Sequence, residues 1–266
     1  MPILKYTASA DTTITDAYNP ITRNRAYYAN MGAADSLEIF SIYTSGSQPE
    51  ISRILINFPI DSIINDRESG IIPDVGNVNF IFKLYNVQHP ETLPKNYTVS
   101  IKPVSGSWSE GYGLDLENYS DVGEKQGGGV GVNWKFKSDP SVQEIVWASE
   151  GGDYYNSYEK TFHFENGTED IEVDITDIVE DQIAGIIPKD GLGIMLSGSY
   201  ESGQYEKTFY TKKFSARSSE YFYKVPSIEV RWETYVKDDR GNFYFRSNNL
   251  EDEDNIQNIY FYNKVN

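Results

Sequence analysis

The feature that most constrains this chain is a two-residue rhythm that keeps starting and stopping. Short runs rich in β-branched and aromatic residues are separated by Gly, Pro, Asn and Asp: "SLEIFSIY" (36–43), "ISRILINF" (51–58), "NVNFIFKLYNV" (77–87) and "YTVSIKPV" (97–104). Later come "KTFHF" (160–164), "DIEVDI" (170–175), "GLGIMLSG" (191–198), "EKTFYTKKF" (206–214) and "PSIEVRWE" (226–233). Successive side chains of a strand point to opposite faces, so such runs read as strands with one face turned inward. In "RILINF" the inward set is Ile54, Ile56 and Phe58, with Arg53, Leu55 and Asn57 on the other face; in "NFIFKLY", Phe80, Phe82 and Leu84 share a face.

Only "DITDIVEDQIAG" carries a helical period, with Ile175, Val179 and Ile183 four residues apart. Asp174 or Thr176 can cap its start, and Gly185 stands where a left-handed stop is wanted. Many strands and one short helix predict an all-β fold, a jelly-roll-like β-sandwich. No repeat of solenoid or propeller period is present. With 266 residues and 39% hydrophobic content there is material for one large domain. The expected division is a sandwich over 1–232, with a long excursion at 105–158, and a small C-terminal β extension over 233–266. That extension reads as a hairpin turning at Asp239–Gly241, the acidic run "LEDED" (250–254) and a final strand "NIYFYNKV".

Several functions are disfavoured by composition. Lys and Arg number 23 against 40 Asp and Glu, a net charge of −17 that repels nucleic acid and anionic membranes. No stretch approaches the ~20 apolar residues of a membrane span, and the start, "MPILKYTASADTTI", does not read as a signal peptide. Without Cys there are no disulfides and no thiol chemistry. The two histidines, His89 and His163, sit in a turn and in an alternating strand, and no GxSxG elbow accompanies them. "GGGVG" lacks the Lys-Ser/Thr of a phosphate-binding loop. No catalytic residues and no required cofactor are expected.

The excursion holds what chemistry there is. "SWSEGYGLD" (107–115) packs aromatics, carboxylates and glycines together. Asp115, Glu117 and Asp121 lie in one loop and could contribute oxygen ligands to calcium, which needs 6–8 of them, though the glycine spacing of an EF-hand is missing. Trp108, Tyr112, Tyr154 and Tyr155 are candidates for contact with a glycan or a partner, because sugar binding asks for aromatic platforms with polar neighbours. Tyr112, between two glycines, is expected to be exposed; Trp134 and Trp147 are expected to be buried and to hold the excursion in place.

The order "ADTTI", "SRILINFPIDSI", "SWSEGYGLD…GVNWKF…VWASEGGDY" and "VDITDIV…GLGIML…FSARSS…PSIEVRW" resembles the DNRLRE-type β-sandwich modules, over roughly residues 5–232. "MPI…YTASADTTIT", "SRILI.FP" and "GLD.ENYSD" are similar to structural proteins of tailed, especially marine, bacteriophages. The resemblance implies a non-enzymatic virion component, in head decoration, neck or collar, or tail and fibre, made in the host cytoplasm. It implies other virion proteins and further copies of the chain as partners. The alternative it leaves open is a carbohydrate-binding module. In either case it casts Trp108 and Gly111 as framework residues and leaves Tyr112, Asp115 and Glu117 available to a partner, an ion or a sugar.

Overall fold

A computed structural model describes residues 2–18, 25, 27, 29–43, 49–90, 92–93, 95–114, 131–138, 143–202, 208–233 and 248–259. Within them the predicted all-β sandwich is present. The strands are β1 (Ile3–Thr7), β2 (Ala10–Thr15), β3 (Ser36–Ile42), β4 (Glu50–Asn57), β5 (Val78–Leu84), β6 (Asn86–Val87), β7 (Tyr97–Pro103), β8 (Lys160–Phe164), β9 (Ile171–Asp174), β10 (Leu192–Leu196), β11 (Phe209–Ser215) and β12 (Ser227–Trp232). One sheet runs β1-β12-β5-β9; the larger runs β6-β11-β3-β4-β10-β7-β8, with β2 also paired to β4. All the pairings are antiparallel.

The alternation decides the register. Ile194 of β10 stands opposite Ile54 of β4 and Ile101 of β7, and Val230 of β12 opposite Leu4 and Phe80. A slip of one residue would turn each of these rows outward. Ile54, Ile56, Phe58, Phe80, Phe82 and Leu84 all enter the core between the sheets. There Tyr97 stacks on Phe164 with centroids 4.6 Å apart, and Phe82 meets Phe58 edge-on at 6.0 Å.

The expectation of one helix needs correction, because the described residues hold two, α1 (Ile60–Glu68) and α2 (Thr176–Ile183), besides a single turn, α3 (Ser199–Ser202). Helix α1 was hidden because only Ile60 and Ile63 of its nine residues are buried, too few to show a period. At α2 the Asp174 carboxylate accepts the Thr176 N–H at 2.9 Å. The Thr176 hydroxyl is instead occupied by the N–H of Phe80, which ties the helix to the small sheet.

The two helices are twins. Each is followed, after one residue, by the same four residues, Gly-Ile-Ile-Pro, at 70–73 and 185–188. Gly70 and Gly185 both have positive φ, 76° and 72°, and the following N–H, of Ile71 or Ile186, returns to the carbonyl of Asp66 or Asp181. Asp66 also accepts the Tyr6 hydroxyl, as Asp181 accepts that of Tyr158. Helix α1 leads from β4 of the large sheet to β5 of the small one, and α2 leads back from β9 to β10. They touch, and Arg67 grips both oxygens of Glu180 at 2.6 and 2.8 Å.

Of the predicted C-terminal extension, the hairpin around Asp239–Gly241 and most of the final strand lie outside the described residues. Residues 248–259 form turns and a 3₁₀ segment (Glu253–Asn255) without a strand.

Candidate functional site

The excursion between β7 and β8 lies on the outer face of the large sheet. Its neck is closed where Val104 bridges to Tyr154, with Ser105 N–H on the Asp153 carbonyl at 2.8 Å. Beneath it Leu55 and Ile14, on the strand faces turned away from the main core, join Val104, Val132, Trp134 and Trp147 in a second apolar cluster. The indole N–H of Trp147 donates to the Asn133 carbonyl at 3.0 Å.

Arg53, two residues from Leu55, anchors the polar side of that cluster. It donates to Glu201 and to the Gly151 carbonyl, both at 2.6 Å, and lies 5.0 Å from the Trp134 ring and 5.6 Å from the Tyr154 ring. Burial pushes the Glu201 carboxyl up, and Arg53 pulls it back. Burial likewise pushes the Tyr154 hydroxyl up to about 12, so it stays a donor and bonds the Gly151 carbonyl at 2.8 Å. The Tyr154 ring lies flat against β10 because residue 193 is glycine: a Cβ there would come within 2.1 Å of the ring.

The loop that begins "SWSEGYG" is gathered around the side chain of Asn30. Asn30 donates to the carbonyls of Glu110 and Val132, both at 2.8 Å, and accepts N–H groups from Gly32 and Gly113 at 3.1 and 2.9 Å. The Trp108 indole donates to the Asp190 carbonyl at 2.8 Å. Glu110 accepts the N–H of Asp11 at 2.8 Å and the guanidinium of Arg217 at 2.7 and 3.2 Å. Arg217 returns its own backbone N–H to Asp11 at 2.5 Å. Asp11 is 1% exposed, and burial pushes it up to about 7; the Arg217 N–H opposes this and the Glu110 charge adds to it. Both Glu110 oxygens face Arg217 and Asp11 is covered, so this carboxylate pair secures a loop and does not line a cleft.

The sequence-predicted residues therefore divide. Trp134 and Trp147 are buried, as expected. Trp108 and Tyr154 pack against the second cluster and Tyr155 against the main core, so these three are fastenings and present no open platform. Tyr112 is 60% exposed, with Leu114 also exposed beside it. Asp115, Glu117 and Asp121 lie outside the described residues. Among the described residues no three acids or histidines are grouped so as to hold a metal ion, and no helix is long and apolar enough to cross a membrane.

Sequence reasoning missed the largest exposed aromatic feature among the described residues. In the connection from β11 to β12, Tyr221, Phe222 and Tyr223 are 56%, 72% and 52% exposed. A 3₁₀ turn (Phe222–Lys224) and the Lys224 N–H on the Tyr221 carbonyl at 2.8 Å raise them as a ridge. Tyr223 packs edge-on against both neighbours, 6.0 Å from Tyr221 and 5.7 Å from Phe222, with ring planes at 66° and 87°. The signal was "EYFYK", three adjacent aromatics that cannot all face one side of a strand. The same connection carries Arg217, so the bond to Glu110 braces its first half.

Neither the protein-family models nor the curated proteins contain a match to this chain.

Proposed function

We propose that this chain is a non-enzymatic structural β-sandwich that joins a larger assembly, as virion proteins of tailed phages do, and that the Tyr221–Tyr223 ridge is where a second copy docks. The ridge is the observation that carries the reading. Exposed Tyr and Phe gathered in one place are the residues around which protein interfaces concentrate their energy. A chain of net charge −17 repels its own copies wherever acids face each other, so contact between copies is favoured at an aromatic prominence that carries a cation, Lys224, 5.9 Å from the Tyr221 ring. Rings standing at 66° and 87° offer edges and corners that suit a pocket better than the flat run of a sugar chain. Copies related by closed symmetry follow from such a patch.

Sedimentation of the purified chain over a range of concentrations and salt tests the reading. Self-association that Phe222→Ser with Tyr223→Ser abolishes is the expected result. A wild-type chain that stays monomeric throughout overturns it.

One observation favours a second reading, glycan binding: Tyr112 stands exposed on a loop that Asn30 and Arg217 hold rigid. A glycan array on which wild type binds and Tyr112→Ala does not would support it, and an array without binding removes it.

A further inference from the structure

Lys212 lies inside the sandwich, 1% exposed, in a chain where most lysines reach solvent. Its Nζ sits 4.8 Å from the Phe164 ring and 5.1 Å from the Phe214 ring. It contacts the side-chain Oδ1 of Asn86 at 2.5 Å, the Gly167 carbonyl at 2.7 Å and the Glu169 carbonyl at 3.3 Å. Among the described residues no carboxylate oxygen is paired with it within ion-pair distance. Asn86 is fixed in turn: it stands on β6 opposite Phe214 of β11, and its N–H donates to Asp170 at 2.7 Å. Glu169 accepts two backbone N–H groups through Oε1, while its Oε2 is buried and has no hydrogen-bond partner among the described residues.

We infer that this pocket is a modification site, in which Lys212 Nζ attacks the side-chain carbonyl of Asn86 and forms an intramolecular isopeptide bond between β6 and β11. The new bond is Nζ–Cγ; the bond that breaks is Asn86 Cγ–Nδ2, and that nitrogen leaves as ammonia. No electrons are exchanged, and no co-reactant is needed: an ammonium and a carboxamide become a secondary amide and an ammonium ion. The amine must lose one proton before it attacks and a second as the amide forms, and the departing nitrogen takes up both, one on leaving as ammonia and one after. The Glu169 carboxylate, whose charge acts on Lys212 from beyond ion-pair distance, has a spare oxygen that can relay these protons only through one bridging water.

The surroundings favour this over a merely stored lysine. Burial pushes the amine down to about 8, against the pull of Glu169 and Asp170, so about a tenth of it is neutral at pH 7 and about half at pH 8. The product would also staple residues 86 and 212 in a chain that has no Cys for a disulfide, and so constrain its unfolded state.

The intact mass of the purified full-length chain decides. The expected value lies about 17 Da below the sequence mass, with a branched proteolytic fragment joining the Asn86 and Lys212 peptides. Asn86→Ala and Glu169→Ala should each restore the sequence mass. A wild-type mass equal to that of the sequence after prolonged incubation near pH 8 overturns the proposal. So does a deficit that survives Asn86→Ala, which would be cyclisation at Asn166-Gly167. The branched fragment is read from wild type, so the test stands even where a variant does not fold.

Discussion

On the inner face of β4, Ile54 and Ile56 join the aliphatic and aromatic core between the sheets; on its outer face, Arg53 and Leu55 meet an ion, two rings and a backbone carbonyl. The two faces differ in what holds them. The inner one is stabilised by area removed from water, a quantity indifferent to direction. The outer one depends on directed contacts: Arg53 to Gly151, Asn30 to Glu110 and Val132, Trp108 to Asp190. An apolar core tolerates changes of shape, whereas a buried hydrogen-bonded group whose partner is removed leaves an uncompensated polar atom. The excursion is therefore the more brittle of the two regions.

The harshest test is Phe82→Ala, in the middle of the inner core. It should cost about 3–5 kcal/mol and lower the urea midpoint of the whole molecule, excursion included. Were the excursion to melt separately and unchanged, the two regions would be independent units. Next comes Arg53→Met, which leaves Glu201 buried without its cation and should cost about 2–3 kcal/mol. Here proteolysis should cut first within 104–158, and the fluorescence of Trp134 should shift before far-UV dichroism of the sheets changes.

How much of this contrast was legible in the sequence depends on the face. Ile54, Phe80 and their rows were read correctly because alternation reports one buried face directly. Strand β2, "ADTTIT", escaped because it is buried with threonines: the Thr15 hydroxyl reaches the Ile51 carbonyl at 2.9 Å, and that of Thr13 takes the Glu38 N–H. Leu55 was assigned to the outer face, but nothing local says that a segment fifty residues later covers it. Tyr154 and Tyr155 were set down as binding candidates because sequence shows an aromatic without showing that Gly193 makes room for it. Lys212 was passed over although alternation puts it on the face of Phe214, because a lysine in "TKKF" is expected to face solvent.

A gentler test uses acid. Burial pushes Asp11 up to about 7 and Asp16 up to about 6, above the roughly 3.9 of an unfolded aspartate. Such groups bind their protons more tightly when folded. Their stabilising contribution is full below about pH 4 and is lost as pH rises through about 6 to 7. The excursion should thus unfold at lower urea at pH 8 than at pH 5. Lower net charge at pH 5 acts in the same direction, so Asp11→Asn is the control, and it should flatten the slope. The smallest effect is expected from Tyr112→Ala, within about 0.5 kcal/mol of wild type, since the ring is mostly exposed. A larger loss would mean that this ring, too, is a fastening.

The twin crossovers have a mechanical consequence. Each carries the chain from one sheet to the other, in opposite directions, and Arg67 clamps Glu180 between them. A load that prises the layers apart is shared by both, as pages are held at the spine of a book. The sandwich should open away from that binding, which makes it the end by which such a protein could be pulled hardest.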